Sequence, residues 1–483
     1  MQEPFKKIMI TTKKETSIPV LAYILALAQF SAPFMFAGVG VTLPAMGKEF
    51  HASGVALGLV ETIYLGAASA FLLPVGHFSD STDKNLIFKV GSFIYAISTL
   101  VIGSLPSVTA IIGFRFIQGF SAALVMATSM AILTDIVPKE RLGKAIGMNI
   151  GAVYLGLSAG PFIAGWITTQ YGWRWVFNST SIPLILSYVM VQMSLKSKWQ
   201  IPKIPFDWMG TFMIVTSIFL LIFGSALLGE SVFGYLLCIS GVIVGFFFFV
   251  IERQMAQPLL KISKIKGNST LSAALAIQLL MYAGAFGITF LFSIYLQLVK
   301  DFSPQSAGQM LVVSPIFMAI FAPICGRLAD SHSPRKLASL GLCFSLISTF
   351  LATQITSDTE LYFLVGILIF QGFGFAMFSS PNMAIIMNSV IPKEYGMASA
   401  LSAQMRSLGM VLSMMIITIF MSIYIGEHMI DSHSIEFLSV MQYSFIIFTL
   451  LAGGGTYLSL MRFSKQAKPV STQFNKKTKY IGH

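Results

Sequence analysis

The chain of 483 residues is 55% hydrophobic and only 10% charged, and its 31 Lys and Arg against 19 Asp and Glu leave a net charge of +12. A mean hydropathy of +0.79 is too apolar for a soluble surface of that size, which excludes a soluble enzyme or binding module and indicates an integral membrane protein. Cys238, Cys325 and Cys343 lie in or beside apolar runs and the six His show no ligand spacing, so neither a disulfide framework nor a metal or other cofactor is expected.

A span needs about 20 apolar residues, and fourteen such runs follow one another along the chain. The first, 20–46, is too long for the core of a cleavable signal and reads as a retained span. The second, 54–76, holds Glu61, the one carboxylate well inside a run. The third and fourth are 86–105 and 109–134, the latter carrying Arg115 and Gln118. The fifth, 144–169, contains GLSAGPFIAG at 156–165. There Ala152, Gly156, Gly160 and Ala164 recur every four residues and form one smooth helix face, followed by Gly165. In a bilayer, small residues let helices approach closely, and Pro161 removes the donor that would pair with the Leu157 carbonyl, which allows a bend. The sixth run is 174–195. Two more, 208–228 and 232–251, follow the linker KSKWQIPKIPFD. The rest are 270–298, 305–325, 337–355, 361–388, 397–425 with Arg406 near its middle, and 440–461.

Charge tests that count. With both termini cytoplasmic, 26 of the 31 Lys and Arg fall on inner segments, the outer loops hold only Lys48, Arg174 and Lys300, and Arg115 and Arg406 are inside spans. This is the bias that sets membrane topology. The net positive charge then reads as a topology signal suited to anionic lipid, and no nucleic-acid partner is expected.

The chain also repeats itself. GHFSDSTDKNL at 76–86 recurs as GRLADSHSPRKL at 326–337, IQGF at 117–120 as FQGF at 370–373, and IVPKERLGKA at 136–145 as VIPKEYGMAS at 390–399. Parallel repeats of this kind build alternating-access transporters with a site between the halves. The expected organisation is an N-terminal six-helix bundle at 1–195, a linker and inserted helix pair at 196–262, a C-terminal six-helix bundle at 263–462 and a basic cytoplasmic tail at 463–483.

These segments resemble the fourteen-span drug/proton antiporters of the major facilitator superfamily over nearly the whole chain. The family's loop motif after the second span, Gly-x-Leu-x-Asp-Arg-x-Gly, is matched by Gly76, Asp80 and the following Lys84, with Ser81 in place of Arg and Asp83 in place of Gly. Its second copy keeps Gly326, Leu328, Asp330 and Arg335. Arg115, Gln118 and Gly119 match the fourth-span motif, and Gly156, Gly160, Pro161 and Gly165 match the fifth-span motif, Gly-x-x-x-Gly-Pro-x-x-Gly-Gly, with Ala164 replacing one Gly. WRWVFNSTSIP, ERQMAQPLL, YLQLVKDFSPQSAGQM and MRSLGM are similar to further family segments. The family's first-span Asp falls on Met35.

The resemblance implies an all-α major facilitator fold of two six-helix bundles plus two helices. It also implies a monomer in the bacterial inner membrane that exports drug-like or amphipathic small molecules in exchange for protons, with no cofactor. An exporter of an endogenous metabolite or siderophore, anionic in view of Met35 and Arg406, is the alternative, and a channel or non-transporting receptor a further one. Buried charge marks function by default. Glu61, with Arg115 and Gln118, is the candidate for proton coupling, the other reading being that Glu61 reaches the outer interface. Arg406 is a candidate for an anionic substrate group or for a bond to Gln404. Gln29, Asn149, Tyr282, Gln297 and Gln404, with Tyr23, Gln278, Gln371 and Asn382, are candidates to line a cavity or to join helices. Asp80, facing the basic run Lys139, Arg141 and Lys144, reads as a latch for one access state. Asp80→Asn should therefore lower transport in vesicles at unchanged protein level; normal transport would dismiss the latch.

Overall fold

Polar side chains cap the helices where the chain turns at the bilayer surface. Ser53 accepts from Ala56 N at 3.2 Å, Ser107 from Ala110 N at 3.2 Å, Asp207 from Gly210 N at 2.8 Å and Asn268 from Leu271 N at 3.0 Å. Each satisfies an amide that a helix start leaves without an intrahelical partner.

The computed structural model describes residues 18–137, 139–194, 205–255, 258–260, 262–391, 394–430 and 433–464, apart from the side chains at 18–22, 80, 130, 134–136, 139–147, 150, 194, 263, 264, 330 and 462–464. The first bundle comprises α1 (Ile18–Phe50), α2 (Gly54–Asp80), α3 (Lys84–Ile102), α4 (Val108–Ile136), α5 (Lys139–Tyr171) and α6 (Arg174–Ser194). The pair α7 (Trp208–Leu227) and α8 (Val232–Glu252) follows, then the short α9 (Ile262–Lys266). The last group is α10 (Ser269–Ala285), α11 (Ile288–Leu298), α12 (Pro304–Leu311), α13 (Val313–Ser331), α14 (Pro334–Ala352), α15 (Leu361–Asn388), α16 (Tyr395–Tyr424) and α17 (Ser434–Ser464). They supply fourteen segments long and apolar enough to cross a membrane, one for each expected run. Most of the linker (195–204) and the tail beyond Ser464 lie outside the described residues.

Two expected spans are broken. Between α10 and α11 the amide of Gly287 donates to Ser413 Oγ of α16 at 2.9 Å, so a neighbouring helix satisfies the interrupted backbone, as a bilayer interior requires. Between α12 and α13, Pro315 offers no amide to the Leu311 carbonyl, and the helix restarts at Val313.

Within the first group α1 packs on α5 and α6, and α2 on α4; within the last, α10 packs on α16 and α17, and α14 on α15. The helix α7 rests on both groups, against α2 and α16. Ile218 and Ile222 fill the space over Gly66 of α2, and the Gly229 amide donates to Ser422 Oγ of α16 at 2.9 Å. Beside this contact, burial and the neighbouring Glu427 carboxylate hold the Glu230 carboxyl above its ordinary range. The α8 surface, including Phe233, Phe246 and Phe247, is exposed and suits lipid.

At the other end of the inserted pair two carboxylates meet. Asp207 is 3% and Glu252 1% exposed; Asp207 Oδ1 caps α7, and Glu252 Oε1 accepts from Leu260 N at 2.6 Å. Their second oxygens both lie over Gly210 and have no hydrogen-bond partner among the described residues. Two carboxylates held this close repel when both are charged, and a neutral hydrogen-bond donor in place of one relieves that repulsion. Glu252→Gln, which supplies the donor itself, should melt at or above the wild-type temperature, and Glu252→Ala several degrees below it, in purified protein.

Candidate functional site

Glu61 lies in the second turn of α2 and Arg115 in the second turn of α4, and the packing of α2 on α4 brings them together. Arg115 Nη2 donates to Glu61 Oε2 at 2.9 Å with both side chains fully buried. Burial excludes the reading in which Glu61 reaches the interface. The other donors of Arg115 are also engaged, Nε with the Val60 carbonyl at 2.9 Å and Nη1 with Gln118 Oε1 at 2.8 Å. Gln118 donates to Thr99 Oγ1 at 2.7 Å, and Thr99 to the Tyr95 carbonyl at 2.7 Å. The guanidinium stacks 4.2 Å over the Tyr64 ring, a favourable cation–π contact. Tyr64 and Tyr95 pair at 3.3 Å and reach the carbonyls of Ala32 and Ser31. One network thus links α1, α2, α3 and α4.

One atom of this network stands apart: Glu61 Oε1 is buried and has no hydrogen-bond partner among the described residues. Beside Glu61 is a cavity of about 10 Å³ lined by Phe36, Gly40 and Val41 of α1 and by Thr289, Phe290 and Ser293 of the other half, room for about one water. The carboxylate that sequence depth singled out therefore borders the seam between halves.

That seam is tight toward the end of the bundle carrying the α1–α2 and α5–α6 loops, termed outer after the Lys and Arg bias. Ser293 Oγ donates to the Gly40 carbonyl at 2.8 Å and Gln297 Nε2 to the Val41 carbonyl at 3.1 Å. Thr62 and Thr418 pair at 3.3 Å, and the rings of Phe36 and Phe286 stack at 4.6 Å. The small face of α5 works on two sides. Gly156 and Gly160 lie against α1, where a Cβ on Gly160 would stand 3.0 Å from Ala37 Cβ and from the Gly38 amide. Gly165 takes the backbone of Pro304 and Gln305, and Gly308 takes the Pro161 carbonyl, so α5 and α12 touch backbone to backbone. No larger residue fits there without moving a helix.

The remaining candidates are dispersed. Gln404, fully buried, donates to the Ser69 carbonyl of α2 at 3.1 Å and so bridges the halves rather than meeting Arg406. Gln278 is held by Asn382 and Ser402, and Gln371 donates to the Ala285 carbonyl; these join helices. Gln29 and Asn149 are buried, while Tyr23 is exposed. Tyr282 packs its ring 5.3 Å from Phe375. Tyr154, which sequence reasoning passed over, lies within electrostatic reach of Arg406 and Tyr282. A Cβ on Gly76 would meet nothing within 4 Å and one on Gly326 only Ser380 at 3.8 Å, so sterics do not explain these glycines. Arg335 stands in the first turn of α14. The side chains of Asp80, Asp330, Lys139, Arg141 and Lys144 lie outside the described residues.

Two helical groups joined along a seam, with a buried ion pair beside it, define a polytopic membrane protein of the transporter class. The chain belongs to the Major Facilitator Superfamily, which it matches over residues 25–259 and 274–480. It is 24% identical to a riboflavin transporter of Clostridioides difficile over 94% of this chain and 99% of that protein. It is 30% identical to multidrug resistance protein 3 of Bacillus subtilis over 75% of this chain and 71% of that protein. With a tetracenomycin C resistance and export protein of Streptomyces glaucescens it shares 24% identity over 80% and 73% of the two chains. It is thus an integral multi-pass transporter and not an enzyme.

Removing one partner of a buried ion pair costs ~3–5 kcal/mol because the other charge is left uncompensated. Arg115→Ala should therefore reduce the yield of folded protein sharply, and adding Glu61→Gln to it should recover much of that yield. Equal yields in the single and double variants would show that the pair carries no such cost.

Proposed function

We propose that this transporter exports small molecules across the bacterial plasma membrane in exchange for protons, by alternating access about the seam between its halves. The observation that carries this reading is the unsatisfied Glu61 Oε1 beside the small cavity in the seam. Opening the outer half of the seam wets that cavity and gives Oε1 a route to an outside proton. Protonation cancels one charge of the pair and loosens the links among α1, α2, α3 and α4. In the opposite state Arg115 stabilises the carboxylate and favours release of the proton inward. Two sites alternately exposed and linked through one conformational equilibrium yield exchange without any cofactor, because each ligand needs only a differential affinity for the two states.

The relatives support two cargo classes. Resistance and export proteins favour drug-like compounds, whereas the riboflavin transporter, matched over almost its whole length, favours a metabolite. Met35, fully buried at the position where the resemblance expects an acid, supports the second reading, since no first-span carboxylate is present to attract a cationic drug.

Proton release from acidified everted vesicles, challenged with cationic, neutral and anionic compounds, tests the coupling. The wild type should alkalinise the lumen when a transported compound is added, and Glu61→Gln, compared at equal amounts of folded protein, should abolish this. Undiminished alkalinisation in Glu61→Gln would remove Glu61 from the mechanism.

A further inference from the structure

Away from the ends of the spans three side chains carry fixed charge, Glu61, Arg115 and Arg406. The first two neutralise each other at 2.9 Å. Arg406, in the middle of α16 (Tyr395–Tyr424) and half-buried, makes no ion pair among the described residues. A cation at that depth is costly unless an opposite charge or a wet cavity meets it. Gln278 Oε1 on the facing helix already accepts from Asn382 and Ser402, and Gln404, two residues away on α16, turns its amide to the Ser69 carbonyl. About one turn from Arg406 on α16, a Cβ on Gly409 would stand 2.7 Å from Tyr282 Cβ, so Tyr282 packs on that stretch of the helix. Tyr154 of the opposite half lies within electrostatic reach of Arg406 and of Tyr282, and the Tyr282 ring stands 5.3 Å from that of Phe375.

We propose that Arg406 receives the anionic group of the substrate, a carboxylate, sulfonate or phosphate, whose aromatic or amphipathic body lies against Tyr154, Tyr282 and Phe375. This rests on the exporter reading and narrows its cargo. The guanidinium fork suits a planar or tetrahedral oxyanion by paired charge-assisted hydrogen bonds, and the tyrosines supply apolar surface with a polar tip. Tyr154 belongs to α5 and Arg406 to α16, so one ligand touches both halves and its binding reports on the seam. An anion moving out against a proton moving in carries positive charge inward twice, so the membrane potential drives the exchange in addition to the pH gradient.

The test uses the full-length protein in lipid nanodiscs with three matched probes, 2-naphthoate, 2-naphthamide and 2-naphthylmethylammonium. Naphthoate should bind about tenfold or more tightly than the other two, the worth of a charge-assisted pair. Arg406→Gln should erase the preference and Arg406→Lys keep part of it. A preference for the ammonium probe, or a naphthoate preference unchanged in Arg406→Gln, would overturn the proposal. Vesicles separate the two readings. Binding as expected with neither naphthoate movement nor proton release contradicts the exporter and leaves the anion site standing. Proton release with the ammonium probe alone does the reverse.

Discussion

A bilayer offers no water to a polar group, so a charge placed inside it must be answered by the protein. The Glu61–Arg115 pair is that answer, and four helices are arranged to make it. Arg115 is held by a carboxylate, a backbone carbonyl, an amide and a ring, while Glu61 keeps one oxygen open toward the seam. The imbalance is chemically informative. An ion pair retained only for packing would gain by satisfying both carboxylate oxygens, whereas a group that must take up and release a proton needs one of them accessible.

The rest of the molecule sets when that access occurs. Hydrophobic burial contributes little between helices already in lipid, and close backbone approach takes its place. Gly156 and Gly160 set α5 on α1, and Gly165 and Gly308 set α5 on α12, so α5 joins the Glu61 network, through α1, to the opposite half. The inserted helix α7 lies across α2 and α16 and spans the same seam from the lipid side. The seam is therefore built from close small-residue contacts and a few hydrogen bonds, among them Ser293 to Gly40 and Gln297 to Val41.

Much of this was legible in the sequence, for reasons of length and spacing. Fourteen apolar runs, a Lys and Arg bias and a long-period repeat describe the architecture because a bilayer imposes a fixed span length. The four-residue spacing of small residues identified the face of α5, and depth along the helix put Glu61 near Arg115. Side-chain partners separated widely in sequence were not legible. Gln404 and Gln297 read equally as cavity residues or as helix joiners, and the partners they take across the halves were not legible, because periodicity gives the face a residue occupies but not the helix opposite it. Asp207 and Glu252 lie at span ends, where acids ordinarily meet solvent, and only the antiparallel packing of α7 on α8 buries them together. The break at Gly287 depends on Ser413 of another helix, so no local signal marks it.

On the proposed coupling, the protonation state of Glu61 sets the outer seam. Spin labels at Tyr171 on α5 and Ser303 beside α12, in a protein lacking its three native cysteines, report the separation of the halves by pulsed electron resonance. On acidification the wild-type distance distribution should gain a longer population, and Glu61→Gln should show that population at both neutral and acidic pH. A Glu61→Gln distribution that shifts with pH as the wild type does would contradict the account.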